Sequence, residues 1–405
     1  MQLNLEARLR ARARIAARLM AVVATAVLWL VAGPAAHALP QVQTAAKHAI
    51  LIDYDTGTVL LDKAADEPMP PASMSKLMTL YLVFERLKDG SLALDDTLPV
   101  SRKAWRKGGS KMFVEAGKRV RVEDLIQGVI VDSGNDACVV LAEGLAGSED
   151  YFAQVMTERA GDLGLKNSHF VNATGWPDPG QYMSVRDLAL LSQRIIRDFP
   201  DFYHYFSERS FTFGVDVTTG KPITQPNRNV LLFRDIGVDG LKTGHTQEAG
   251  YGMVISAERN GRRLILVIAG LSSERQRANE AERLLEFGFR NFGNYKLFSA
   301  GEVVDTATVW LGDRDSMPLI VSNDVHLTLS RRARRGMKVT LSRDEPIPAP
   351  ISAGQQLAKV VITTPETEPI TIPLLAQVSV NRLGPLGRIK AAFGYLLWGA
   401  PGTGR

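Results

Sequence analysis

The chain has 405 residues, 45% of them apolar, a formal net charge of +5 and a single cysteine. A chain of this length can bury a substantial core, and the lone Cys138 excludes an internal disulfide. The positive balance is not a nucleic-acid signature: residues 1–38 hold five arginines and one glutamate, and without them the net charge falls to about +1. No His, Cys, Asp or Glu spacing of the H-x-x-x-H or C-x-x-C kind points to a metal, and no cofactor is expected.

In chain order, arginines from Arg8 to Arg18 precede an apolar run from Ala21 to Ala32 and a small-x-small site, Ala36-His37-Ala38. Residues 1–38 therefore read as a signal peptide for an exported protein, with an apolar run too short to span a bilayer comfortably. Residues 39–296 read as the first folded domain. Two strands, 49–53 and 58–62, flank a turn at Asp55-Thr-Gly57. A Pro-rich approach, Pro68-Met-Pro-Pro71, leads to Ser73, followed by an apolar-periodic helix through Leu77, Leu80, Tyr81, Phe84 and Leu87 that stops at Gly90. Helices are expected around 122–131, 136–145 and 150–163, and a capping box at Ser184-Val-Arg-Asp187 opens another to about Arg197. Strands 251–258 and 263–271 form a hairpin around Asn260-Gly261, and a last helix covers 274–292. This is an α+β domain: one mixed, mainly antiparallel sheet with helices on its faces and a helical middle.

Residues 297–380 show short strands and no convincing helix, with candidates at 303–310, 318–321, 326–329, 338–341, 356–363 and 370–374. They read as a small all-β domain, in which the basic stretch from Arg331 to Lys338 is a solvated loop. Residues 381–405 form a tail.

Three short strings carry the chemistry: Ser73-Met-Ser-Lys76, Ser133-Gly-Asn135 and Lys242-Thr-Gly244. Ser-x-x-Lys and Ser-x-Asn each occur about once by chance in such a chain, and Lys-Thr-Gly about once in ten chains. Their order and wide spacing, and the local structure expected around each, outweigh those odds. Together they describe acyl transfer: a serine nucleophile, two lysines able to move a proton, and a polar bridge. Ser73 is expected where its helix begins, where free backbone N–H groups favour an alkoxide and an oxyanion. Lys76 lies one turn on and can reach the Ser73 hydroxyl. As a base it needs a pKa well below ~10, through burial and a neighbouring cation such as Lys242. By themselves Ser73 would be an ordinary N-cap and Lys76 a solvated lysine. Gly134 permits a sharp turn that aims Ser133 and Asn135 into one cleft, and Cys138, one turn further, reads as a buried inert thiol. Lys242-Thr-Gly244 reads as an edge strand ending at its glycine.

The chain resembles the low-molecular-mass penicillin-binding proteins that are D-alanyl-D-alanine carboxypeptidases. The resemblance rests on Pro71-Ala-Ser-Met-Ser-Lys76, Ser133-Gly-Asn-Asp-Ala137, Asn227-Arg-Asn229 and Val238-Asp-Gly-Leu-Lys-Thr-Gly-His-Thr246, and covers about residues 45–295. It implies a β-lactamase/transpeptidase-like domain followed by the all-β domain as a stalk. It implies Ser73 as the acylated nucleophile, Lys76 as its base, and Ser133 and Asn135 as proton relay and substrate-amide contact. Lys242, Thr243 and Gly244 would hold the substrate, the backbone N–H groups of Ser73 and His245 would form the oxyanion hole, and Arg277 would draw in the terminal carboxylate, although Arg277 reads equally as a surface helix arginine. Met74 departs from the family pattern and should point away from Ser73. The segment 167–182, expected across the cleft rim, lacks the Glu-x-x-Leu-Asn string of penicillin-hydrolysing class A β-lactamases.

The resemblance implies an enzyme that takes the last D-alanine from peptidoglycan pentapeptide side chains and is inhibited by β-lactam antibiotics. The alternatives are a D,D-endopeptidase, a weak β-lactamase, or a non-catalytic wall-binding scaffold. In the tail, Leu386, Ile389, Phe393, Leu396 and Leu397 recur at helical spacing beside Trp398, with Arg382, Arg388 and Lys390 adding positive charge. Such a helix suits the headgroup plane of inner-membrane lipid on the periplasmic face. Gly387 and Gly394 interrupt it and it is too short to span. The alternative is a terminal helix packed on the β domain.

Overall fold

The computed structural model describes residues 42–389 and 391. Strands β1 (His48–Asp53) and β2 (Val59–Lys63) form the expected first hairpin. Helices α1 (Lys76–Lys88), α2 (Val122–Ile130), α3 (Asn135–Ala146), α4 (Glu149–Asp162) and α5 (Val185–Asp198) follow. Strands β3 (Val238–Thr246), β4 (Gly250–Arg259) and β5 (Arg262–Leu271) then return to the sheet, and α6 (Glu274–Asn291) covers it. The helix starts obey local capping: the hydroxyls of Ser148, Ser184 and Ser273 each accept a backbone N–H three residues on, at 3.1 Å.

The strands order as β2-β1-β5-β4-β3. Every pairing is antiparallel, where a mixed sheet was expected. The helical excursion between β2 and β3 brings the chain back against the far edge, so no parallel crossover is needed. Side chains alternate across a strand, and on β5 both faces are buried. Ile265, Val267 and Ala269 join the core beneath α1–α5, whereas Leu264, Leu266 and Ile268 meet Ala281, Leu284 and Leu285 on α6. At roughly 1.5–3 kcal/mol for each large side chain, this two-faced burial fixes the sheet between its helix layers. Two small ribbons, Thr97–Pro99 with Arg119–Arg121 and Ser210–Val215 with Pro222–Pro226, are too short or too polar for the sequence pattern to mark.

The all-β unit begins directly after α6. Strand β6 (Phe292–Phe298), absent from the sequence expectation because it lacks clean alternation, pairs with β9 (Val325–Ser330). With β7 (Val303–Trp310), β8 (Ser316–Ile320), β10 (Lys338–Arg343), β11 (Ile347–Pro348), β12 (Gln356–Thr363) and β13 (Ile370–Ala376), the second sheet orders as β10-β12-β13-β8-β7-β11. The basic stretch is not a loop: Arg331–Arg335 is a short helix capped by the Ser330 hydroxyl, with the Arg334 guanidinium 4.0 Å from the centre of the Tyr295 ring. Buried Asp53 ties the two units together. Its carboxylate accepts from Arg262 Nε at 2.9 Å and from Asn294 Nδ2 at 3.0 Å, and Arg262 also donates to the Phe292 carbonyl at 2.7 Å.

At the far end of the second unit, Leu383 N donates to Leu311 O and the chain enters a helical turn in which Leu386 and Ile389 are 85% and 58% exposed. The rest of the apolar stripe (Phe393, Leu396, Leu397, Trp398), Lys390 and the leader 1–38 lie outside the described residues. Among the described residues no helix is long and apolar enough to cross a membrane.

Candidate active site

The first string does not start an α-helix directly. Ala72–Ser75 is a single 3-10 turn that runs into α1, and neither Pro71 before it nor Ser75 at its end makes a side-chain cap. Ser73 is thus not an N-cap. Its Oγ lies 2.7 Å from Lys76 Nζ, and the same amine reaches the Thr174 carbonyl at 2.6 Å. Met74 points away from Ser73, as expected, into the gap beneath β3 and β4.

Two close approaches hold this turn. A Cβ on Gly244 would lie 3.0 Å from Pro71 O and 3.2 Å from Met74 N, so glycine lets the edge strand β3 lie this close to the Ser73 turn without displacing backbone. The strand continues past Gly244 to Thr246 instead of ending there. On the other side, a Cβ on Gly175 would lie 1.9 Å from Ala72 O. The loop carrying Gly175 is wound on Asn172, whose Oδ1 accepts from the N–H groups of Thr174, Gly175 and Trp176 at 2.9–3.1 Å. That winding presents Thr174 O to Lys76.

The second string turns between α2 and α3. Ser133 has φ 59°, a left-handed conformation costly for a non-glycine residue. It is sustained by Asp136, whose carboxylate accepts the N–H groups of Met112, Phe113 and Ala137 at 2.9–3.0 Å. Asn135 Nδ2 donates to Gly108 O at 2.8 Å. Lys242, on β3, donates from Nζ to Ser133 Oγ at 2.9 Å. The geometry therefore contains two lysine–serine pairs, Lys76 with Ser73 and Lys242 with Ser133.

Both amines are enclosed, with Lys76 0% and Lys242 2% exposed. Burial lowers the Lys76 pKa to about 8, with Lys107 and Arg228 adding to the fall. Burial also holds Lys242 well below the ordinary lysine range, assisted by the charges of Lys76 and Arg228. A lysine that loses its proton near neutrality can act as a base, which an exposed one cannot. Burial pushes the Cys138 thiol the other way, to about 12, so it is inert as expected.

Arg277 is not a surface arginine. It is 3% exposed on α6, donates to Glu274 Oε1 at 2.9 Å, and keeps a buried Nε without a partner. Its guanidinium stands 5.8 Å from the centre of the Tyr251 ring, and the exposed His245 ring stacks on Tyr251 at 3.9 Å. That places an under-used cation beside the edge strand carrying Thr243, Gly244 and His245. Among the described residues no group of three His, Cys, Asp or Glu side chains is placed to hold a metal.

Sequence reasoning gave no role to Asp136, Thr174 or Arg228. Asp136 and Arg228 lay inside quoted motifs. Thr174 acts through its carbonyl, which any residue would supply, so no side-chain signal marked it.

Residues 34–273 match the peptidase S11 family, described as D-alanyl-D-alanine carboxypeptidase, and residues 292–382 match the C-terminal domain of penicillin-binding protein 5. The D-alanyl-D-alanine carboxypeptidase DacD of Escherichia coli (strain K12) is 38% identical over 352 residues, 85% of this chain and 89% of that protein. DacA of the same strain is 40% identical over 309 residues, 75% of this chain and 74% of that one. Penicillin binding protein 5 from Haemophilus influenzae has a TM-score of 0.74 at 37% identity, covering 84% of this chain and 99% of that one. Penicillin-binding protein D2 from Listeria monocytogenes, solved in an ampicillin-bound form, has a TM-score of 0.55 at 32% identity, covering 62% and 100%. The fold is that of a penicillin-binding protein with its C-terminal all-β unit. The chain belongs to the D-alanyl-D-alanine carboxypeptidase family and is a serine-type carboxypeptidase.

The contact between β3 and the Ser73 turn can be tested at one position. Gly244→Ala must push the strand from the Ser73 turn by tenths of an ångström, and because a full misplacement of about 1 Å can cost about a hundredfold in rate, a shift of that size should cost several-fold, up to about tenfold. Acylation by a labelled penicillin should slow by that factor with little change in thermal unfolding temperature.

Proposed function

We propose that the chain removes the terminal D-alanine from the pentapeptide stems of peptidoglycan through an acyl-enzyme on Ser73. The observation that carries this reading is the 2.7 Å contact between Ser73 Oγ and a fully buried Lys76 amine with a pKa of about 8. Neutral Lys76 takes the hydroxyl proton as Oγ attacks the carbonyl carbon of the D-Ala-D-Ala bond. The backbone N–H groups of Ser73 and His245 receive the oxyanion. The proton passes to the departing amine by way of Lys76 or the Ser133–Lys242 pair, the C–N bond breaks, and D-alanine leaves. Water then attacks the ester, and the proton returns to Ser73 Oγ. Asn135 holds the substrate amide, Lys242, Thr243 and Gly244 hold the extended peptide, and Arg277 receives the terminal carboxylate. Lys76 acts as base only once deprotonated, so acylation should rise with pH through about 8.

A β-lactam presents its own amide to the same serine. The loop that meets Lys76 offers the Thr174 carbonyl there, which accepts a hydrogen bond but cannot take a proton from water. That supports a long-lived penicilloyl ester over rapid penicillin turnover. Mass spectrometry after incubation with penicillin should place one adduct on the Ser73 peptide, and Ser73→Ala should abolish both adduct and carboxypeptidase activity. Rapid release of hydrolysed penicillin would indicate a β-lactamase, and absence of any adduct a non-catalytic scaffold.

Arg277→Ala should weaken turnover of a free D-Ala-D-Ala terminus by about 1–3 kcal/mol in transition-state binding. Much of that loss should vanish for a substrate with an amidated terminus. Equal losses on both substrates would leave Arg277 a structural residue.

We also propose that the chain is exported and held on the periplasmic face of the inner membrane by its tail, with the β domain as a stalk. The outward-facing Leu386 and Ile389 beside Arg388 support this: both side chains are exposed to solvent, and they begin the apolar stripe read in the sequence. The mature chain should sediment with anionic vesicles, and a chain truncated after Ser379 should remain in the supernatant. Equal sedimentation of both would exclude the tail as the anchor.

A further inference from the structure

Trp176 is 46% exposed, yet its backbone is fixed on both sides. Its N–H donates to Asn172 Oδ1 and its carbonyl accepts from Asn172 Nδ2, both at 3.0 Å. The same Asn172 winds the loop that presents Thr174 O to Lys76. These bonds use main-chain atoms of Trp176, so the winding makes no demand on the indole. Lys107 stands over the ring, its Nζ 5.8 Å from the centre, and is anchored 3.5 Å from Glu149 Oε1. Glu149 is buried and also accepts from Ala173 N at 3.4 Å, so one carboxylate braces the loop and the lysine together.

The edge of the ring lies on a pair of glycines. A Cβ on Gly108 would be 3.5 Å from Trp176 Cη2. One on Gly109 would be 3.1 Å from Trp176 Cζ3 and 2.7 Å from Asn135 Nδ2. The indole and the Asn135 amide are therefore neighbours across Gly109, where a side chain would crowd both. Single exposed apolar residues are common on a protein surface. This one adjoins the amide assigned to the substrate, on a loop that also touches the base.

We propose that the Trp176 indole is the wall of a subsite for the side chain of the residue that precedes the D-Ala-D-Ala pair, and that it selects a long unbranched aliphatic chain there. The inference rests on the reading that the cleft holds a D-Ala-D-Ala peptide with Asn135 on its amide. The scissile bond lies at Ser73 and the terminal carboxylate at Arg277, so the rest of the peptide leaves in the other direction, past Asn135. With glycine at 108 and 109, the indole is the side chain it meets there. A flat, rigid ring covers an extended methylene chain well, and the gain grows with the apolar area taken from water. The indole makes no contact with the reacting atoms, so its contribution is to binding and selectivity.

The test uses the full chain and its Trp176→Ala and Trp176→Phe variants. The substrates are N-acetylated tripeptides ending in D-Ala-D-Ala, with glycine or L-norleucine in first place. Values of kcat and KM for D-alanine release are measured on each, and the Ser73 penicilloyl adduct is followed by mass spectrometry. The wild-type chain should favour the norleucine peptide in kcat/KM by about fivefold to tenfold, the scale of a few methylenes partly covered by an apolar wall. In Trp176→Ala that ratio should fall to about one. The loss should appear in KM, because a contact remote from the scissile bond binds ground and transition state alike. Trp176→Phe should keep most of the ratio. Should Trp176→Ala fail to fold, Trp176→Gln, polar and shorter, should bring the ratio to about one in its place. A wild-type chain that does not distinguish the two peptides would overturn the proposal. So would a folded Ala or Gln variant with the wild-type ratio, including one whose activity falls equally on both peptides, which would mark the indole as a support of the loop. A wild-type chain with neither D-alanine release nor a Ser73 adduct would instead overturn the underlying site reading, and this inference with it.

Discussion

Lys76 and Lys242 carry their amines into a region that water does not reach, and the rest of the molecule is arranged around that desolvation. An exposed lysine holds its proton far above neutrality and is useless as a base. The fall of Lys76 from 10.5 to about 8 corresponds to about 3 kcal/mol of disfavoured charge, a large share of the 5–15 kcal/mol by which a domain is stable. Such a group can be kept only in a fold with burial to spare. The sheet supplies it, with apolar side chains enclosed on both faces of β5 and helices on either side.

Enclosure also dictates which backbone segments meet. Lys76 is closed in by the Ser73 turn, the loop wound on Asn172, and α3. Lys242 is closed in by the Ser133 turn. Two glycines permit the contacts: Gly244 brings the edge strand against Pro71 and Met74, and Gly175 brings the rim loop against Ala72. An edge strand is the element able to do both jobs, since one side is paired in the sheet and the other remains open to an extended peptide. At the opposite end of the sheet, buried Asp53 joins β1, β5 and the first strand of the all-β unit through Arg262 and Asn294. The second unit is therefore braced against the back of the peptidase sheet, at the hairpin turns and away from Ser73.

Much of the architecture was legible because periodicity and capping are local. The helix through Leu77 and Phe84, the Ser184 cap and the Asn260-Gly261 hairpin all stand where their patterns put them. Elements without a local signal were missed. Strand β6 has no alternation and owes its existence to pairing with β9. The helix at Arg331–Arg335 is too short to show a period and is held by one cap and one ring contact. The turn at Ser73 was taken for the helix start itself, because one 3-10 turn ahead of an α-helix leaves the hydrophobic spacing unchanged.

For the site, the division falls between identity and environment. The amino-acid sequence by itself determined which groups are present and in what local arrangement: a serine with a lysine one turn on, a glycine-hinged serine and asparagine, and a lysine on a strand before a glycine. Those relations span few residues, where backbone geometry follows from spacing. Only the tertiary structure decided that Lys76 and Lys242 are buried, that Arg277 lies inside the protein with an unpartnered nitrogen, that the Thr174 carbonyl meets Lys76, and that Asp132 Oδ1 is enclosed without a hydrogen-bond partner. Burial and charge are sums over neighbours drawn from distant parts of the chain, and a lysine written in a sequence carries no record of the water it will lose.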